Sequence, residues 1–157
     1  MAIQVGQQAP DFTLRDTEKQ KITLSEQQGK NVLLLFYPAA FTSTCTTELC
    51  GVRDNLTFYN DTNAVVYGIS VDSLFAQKKF KEELKLNFPL LSDFNKIASR
   101  AYDTIYEHWF NDMDGVSKRS AFIIDKEGKV RYAEVLENAS DVPNFDAIQS
   151  CLQSINN

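Results

Sequence analysis

The chain is poor in the residues that usually announce a metal or a disulfide framework: one histidine, one tryptophan and three cysteines in 157 residues. His108 has no second histidine to join it in a ligand cluster, so a metal site is not expected and no catalytic part is assigned to it. No apolar run approaches the roughly 20 residues of a membrane-spanning helix, which argues against a membrane protein. Basic residues are outnumbered, 16 against 21 acidic ones, and dispersed, so no nucleic-acid surface is expected. Glycine and proline are few and scattered, which leaves no linker, repeat or low-complexity tract. The first residues lack the charged-then-apolar order of a signal peptide, and the cytoplasm is the expected location.

What is present suits one globular domain over residues 1–157, since 43% hydrophobic residues at this length are enough for a full core. Three cysteines are an odd number in a chain that needs no disulfide staple, which points to free or redox-active thiols rather than a secreted framework.

Hydrophobic periodicity outlines the elements. Phe12 to Leu14 and Lys21 to Leu24 alternate apolar and polar residues around a polar turn, which predicts an antiparallel hairpin. Val32 to Phe36 is a continuous apolar run, expected for a strand buried on both faces. Leu49, Val52, Leu56 and Tyr59 then recur at helical spacing, predicting one helix from about Thr44 to Tyr59. Ala64 to Val71 reads as the next core strand, completing a parallel strand-helix-strand unit. Asp72 or Ser73 is a candidate cap for a helix carrying Phe75, Phe80, Leu84 and Leu86, with its lysines on a solvated face. A short strand at Pro89 to Ser92 and a helix near Asn95 to Tyr102 follow. Asp103 to Lys118 is irregular; for its Trp109 and Phe110 the readings are a pocket lining, a subunit contact or core packing, and core packing is favoured. Ser120 to Asp125 and Val130 to Val135 form a hairpin, and Phe145, Ile148, Leu152 and Ile155 mark a C-terminal helix on which Cys151 reads as a small buried hydrophobe.

The chemistry is expected at Cys45, because it falls in the first turn of the helix that follows the buried strand. Unsatisfied N–H groups and the positive end of the helix dipole favour an anion there, and the thiolate is the reactive form of cysteine. Ser43 and Thr44 are candidate caps for this helix start, and Glu48 is read as an acid in its first turn, with capping as its plainer explanation.

Pro38, Thr42 and Cys45 stand in the spacing Pro-x-x-x-Thr-x-x-Cys, and here the chain resembles the peroxiredoxins. Cys45 to Asp54, Cys-Thr-Thr-Glu-Leu-Cys-Gly-Val-Arg-Asp, is similar to the bacterioferritin comigratory protein or peroxiredoxin Q branch, whereas Pro-Ala-Ala-Phe-Thr around Phe41 looks closer to the one-cysteine AhpE-type branch. The resemblance runs from Gly6 to Leu14 near the start through Arg119 to Asp125. It implies an α/β, thioredoxin-like fold with a central mixed sheet flanked by helices and an N-terminal β-hairpin.

The resemblance also implies a thiol-dependent peroxidase acting on hydrogen peroxide and organic hydroperoxides. Cys45 would be the peroxidatic cysteine, passing through a sulfenic acid. Arg119 would stabilise the thiolate and hold the peroxide oxygens with its forked guanidinium, although local sequence alone favours a surface strand residue there. Thr42 would direct its hydroxyl at the peroxide beside Thr44, Pro38 would shield the thiolate, and Glu48 would support the site. Cys50 would resolve the sulfenic acid as an intramolecular disulfide, reduced by thioredoxin or a similar dithiol; the open alternative is a one-cysteine enzyme with Cys50 as a helix residue. No cofactor is implied, since sulfur does the redox work, and the chain is expected as a monomer or homodimer. The competing classes are a peroxide-sensing thiol switch that passes its disulfide to a partner, and a binding module without catalysis.

Overall fold

The computed structural model describes residues 3–156. The alternating segments near the start form β1 (Thr13–Asp16) and β2 (Lys21–Thr23), paired antiparallel with Leu14 opposite Ile22, as the hairpin pattern predicts. A 3-10 turn, Leu24–Gln27, leads to β3 (Asn31–Phe36), in which every residue is buried. The expected helix from Thr44 to Tyr59 is two helices, α1 (Ser43–Asp54) and α2 (Leu56–Asp61), broken at Asn55, whose φ of -116° and ψ of 18° are not helical. Leu49, Val52 and Tyr59 still reach one core and Leu56 packs against it, so the stripe continues across the break.

The chain continues through β4 (Ala64–Ser70), α3 (Leu74–Leu84), β5 (Leu90–Ser92) and a short α4 (Ile97–Ala101). The stretch read as irregular contains a two-stranded sheet, β6 (Ile105–Tyr106) with β7 (Val116–Ser117), around a 3-10 turn at Phe110–Asp112. The hairpin of β8 (Ser120–Ile124) and β9 (Val130–Val135) and the helix α5 (Phe145–Ile155) complete the fold.

Among the described residues seven strands make one sheet in the order β2-β1-β5-β4-β3-β8-β9. It is mixed: β3 runs parallel to β4 and β4 to β5, while β8 lies antiparallel on the other side of β3. Successive side chains of a strand point to opposite faces, so the apolar run of β3 feeds two cores at once. Leu33, Leu35 and Tyr37 join Leu49, Val52, Phe80, Ile148 and Leu152 on the face covered by α1, α3 and α5. Val32, Leu34 and Phe36 join Ala98, Tyr102 and the N-terminal Phe12 and Leu14 on the other. The C-terminal end of β3 therefore emerges between two filled cores, and the turn after it is carried on a rigid base. Among the described residues no helix is long and apolar enough to cross a membrane.

Candidate active site

The site is built where β3 hands over to α1. Tyr37 remains tied to the sheet, its N–H donating to the Ile69 carbonyl at 2.9 Å, and Pro38 is buried. The next residues turn sharply: Phe41 takes a φ of +68°, which a bulky side chain rarely adopts. Thr42, with extended φ and ψ, is the N-cap of α1. This corrects the expectation that Ser43 and Thr44 cap the helix, since both lie inside its first turn. Thr42 does not cap through its side chain either, because its hydroxyl donates to the Ala39 carbonyl at 3.0 Å. The N-terminal amides of α1 are thus not claimed by the N-cap side chain, and their partial positive charge favours an anion in the first turn. Cys45, in that turn, is 0% exposed.

Arg119 reaches the sulfur from the other side. It immediately precedes β8, which pairs with β3 through Phe36 and Ser120, so the sheet register brings it to the same end of the sheet. Its guanidinium spends its donors on three partners: Nη2 on Cys45 Sγ at 3.1 Å, Nη1 on Glu48 Oε1 at 2.7 Å, and Nε on the Ala139 carbonyl at 3.0 Å. At 1% exposure it is a core residue, not the surface strand residue that its local sequence suggests. The long-range partners explain the difference, because a buried guanidinium is tolerated only where its donors are met.

Glu48 is also corrected. It lies in the second turn of α1, where it neither caps the helix nor meets the dipole, and its carboxylate is buried against Arg119. Burial pushes its carboxyl up to about 7 despite the opposing pull of the Arg119 charge. Its second oxygen, Oε2, is buried with no hydrogen-bond partner among the described residues. The carboxyl thus holds Arg119 through one oxygen only, and burial favours its protonated form.

Beside this cluster runs a groove of about 530 Å³, lined among others by Thr42, Thr44, Tyr106, Trp109, Phe110 and Arg119. Trp109 and Phe110 are therefore groove residues rather than core, with Phe110 53% exposed and Trp109 stacked parallel to Tyr106 at 6.4 Å between ring centroids. The structure thus brings Thr42, Thr44, Cys45, Glu48 and Arg119 to one place, with Pro38 at the base of the turn.

The other two cysteines lie apart from the groove. Cys50 is half-buried on α1, and Cys151 is half-buried on α5, where its pKa is raised by burial and its sulfur faces the Arg131 carbonyl at 3.7 Å. All three thiols are free. Among the described residues no group of three or more His, Cys, Asp or Glu side chains is arranged to hold a metal ion.

One residue of the site's support escapes a local reading. Asp72 was a candidate helix cap, but Ser73 caps α3, accepting from the Ala76 N–H, while the Asp72 carboxylate accepts from the Ala40 N–H in the turn before Cys45. Two adjacent cap-type residues before one helix are the signal in the sequence, since one helix start needs only one of them.

The chain is similar to known proteins over most of its length. The sequence profile of the AhpC/TSA family matches residues 5–133. The alkyl hydroperoxide reductase E of Mycobacterium tuberculosis is 40% identical over 136 residues, covering 85% of this chain and 86% of that protein. The peroxiredoxin Bcp of Bacillus subtilis is 38% identical over 132 residues, 83% of each. Among solved structures, the peroxidoxin BcpB of Mycobacterium tuberculosis superposes with a TM-score of 0.86 at 30% identity, covering 98% of both chains. The mixed sheet flanked by helices is accordingly a thioredoxin-like fold.

Proposed function

The chain belongs to the AhpC/TSA family, as a Bcp/AhpE-like peroxiredoxin with thiol peroxidase activity, and from that premise we propose that Cys45 is its peroxidatic cysteine. The observation that carries this reading is the Arg119 fork, with one arm on the Cys45 sulfur and the other on Glu48, all three buried. The permanently charged guanidinium stands 3.1 Å from the sulfur, within reach of the negative charge that moves during the reaction.

The thiolate attacks the terminal oxygen of a hydroperoxide, the O–O bond breaks, and the leaving oxygen takes a proton to depart as water or an alcohol. Cys45 is left as the sulfenic acid. Arg119 holds the negative charge as it passes from sulfur to the leaving oxygen, which a forked donor does better than a point charge. Thr42 spends its own proton on the Ala39 carbonyl, so its hydroxyl oxygen is left to accept from the hydroperoxide O–H. Thr44 lines the same groove, and the buried Pro38 keeps water from the base of the turn.

Cys50 then attacks the sulfenic sulfur, water leaves, and an intramolecular disulfide forms for an external dithiol such as thioredoxin to reduce. The placement of both cysteines on α1 supports a version of this step in which the helix opens first. It also supports the second reading, a one-cysteine enzyme whose sulfenic acid is reduced by an external thiol, and the 40% identity to an alkyl hydroperoxide reductase E favours keeping it. The cytoplasm, where thiols stay reduced, suits either cycle.

The test is peroxide consumption with a recycling dithiol. Cys45→Ser removes turnover while its circular dichroism matches the parent; turnover that persists in that variant overturns the assignment.

A further inference from the structure

The turn between Pro38 and Thr42 is strained. Phe41 is held at a φ of +68° with its ring 54% exposed and edge-on to Phe80 at 5.1 Å. Left-handed backbone at a bulky residue costs energy and persists only where its surroundings impose it. Inside the turn the Thr42 hydroxyl donates to the Ala39 carbonyl. From outside, the Asp72 Oδ2 accepts the Ala40 N–H at 2.8 Å, 32 residues away in sequence.

That carboxylate is itself fixed. Ser70 Oγ donates to Asp72 Oδ2 at 2.7 Å, and Gln77 Nε2 donates to Ser70 Oγ at 3.0 Å and to the Leu91 carbonyl at 2.9 Å. Ser92 Oγ donates to the Asp72 carbonyl at 2.6 Å. Ser70 and Gln77 are fully buried, so a chain of hydrogen bonds runs from α3, β4 and β5 to a single amide of the active-site turn. Helix capping does not account for Asp72, because Ser73 does that work.

We propose that Asp72 is a positioning residue for peroxide reduction: by holding the Ala40 amide it keeps the strained turn in the shape that aims the Thr42 hydroxyl at the substrate. The inference rests on the reading of Cys45 and Thr42 given above. Its logic is a relay of contacts. Asp72 fixes Ala40, the adjacent Ala39 carbonyl takes the Thr42 proton, and the Thr42 oxygen is thereby left as an acceptor facing the groove. Without the carboxylate the turn relaxes away from the left-handed conformation at Phe41, and the Thr42 oxygen loses its aim. The Arg119–Cys45 contact, carried by β8 and α1, does not depend on Asp72.

The experiment compares the parent, Asp72→Ala and Asp72→Asn, all in a Cys50→Ser background so that only the first step is read. Two second-order rate constants of Cys45 are measured by quenched-flow mass spectrometry, one with hydrogen peroxide and one with iodoacetamide, which needs no oriented hydroxyl. Asparagine keeps an acceptor oxygen for the Ala40 N–H, and its peroxide constant is expected within about threefold of the parent, whereas alanine lowers it about tenfold, as the loss of one positioning hydrogen bond would. The alkylation constant does not fall in either variant. Asp72→Ala reacting with peroxide at the parent rate overturns the proposal, as does a parallel fall with both reagents or an asparagine variant as slow as the alanine one. Should the alanine variant fail to fold, the asparagine variant still decides through its two rate constants, a peroxide constant more than about threefold below the parent overturning the proposal. A parent protein that itself forms no sulfenic acid at Cys45 indicts the assignment of Cys45 and not the role of Asp72.

Discussion

Replacing Gly51 with alanine should slow disulfide formation between Cys45 and Cys50 without slowing the reaction of Cys45 with peroxide. Both cysteines lie within α1. Five residues of helix rise about 7.5 Å and turn about 140°, which separates the two Cα atoms by about 9 Å. A disulfide spans no more than about 7 Å between Cα atoms, so the first turns of α1 must unwind before the bond closes. Gly51 has no positive φ, and a Cβ built on it meets nothing within 4 Å, so alanine fits the closed helix without strain. Alanine favours the helix over glycine by about 1 kcal/mol, which reduces the population of the unwound state about fivefold. Quenched-flow mass spectrometry reads the sulfenic acid and the disulfide separately. The expected result is a sulfenic acid that forms at the parent rate and closes about fivefold more slowly, with more overoxidation at excess peroxide. A closure rate equal to the parent's, with the Cys45–Cys50 bond confirmed, would refute the unwinding argument.

Arg119→Lys keeps the charge but loses the fork that touches both Cys45 and Glu48, and the loss of a charge-assisted hydrogen bond should slow the reaction with peroxide about tenfold or more. Stopped-flow rates equal to the parent's across pH would contradict it. Glu48 makes stability depend on pH in a definite direction. Its carboxyl titrates at about 7 in the folded protein against 4.5 in the unfolded chain, so the folded state binds the extra proton. Its contribution is present in full below pH 4.5 and is lost as pH rises through about 7. Relative to Glu48→Gln, the parent should therefore lose stability between about pH 5 and about pH 8 in urea melts; a constant difference between the two proteins over that range would contradict the assignment.

Much of the scaffold could be read from local pattern because local pattern is what burial selects. The apolar run of β3 announced a strand covered on both faces, and the spacing of Phe145, Ile148, Leu152 and Ile155 announced α5. The break at Asn55 was hidden for a physical reason: α1 and α2 present their apolar residues to the same core, so the period of the stripe carries no mark of the interruption. The motif residues Pro38, Thr42 and Cys45 stand close together in the chain, so their spacing is legible as a local pattern. Arg119 was not recoverable from its own neighbourhood, since what makes it a core residue is Cys45 and Glu48, 74 and 71 residues away. The same holds for Asp72, whose partner Ala40 offers a backbone amide that leaves no trace in the sequence. Trp109 and Phe110 look like core residues by composition and line the groove instead, because β6 and β7 carry the turn between them out to the surface.

The central claim is that Cys45, held by Arg119 at the start of α1, is the atom that peroxide meets first. One equivalent of hydrogen peroxide, a sulfenic-acid trap and peptide mass spectrometry test it directly. The account predicts one added oxygen at Cys45 within the first moments, giving way to a Cys45–Cys50 disulfide when the trap is omitted. Oxygen appearing first at Cys50 or Cys151 while Cys45 stays reduced would contradict it.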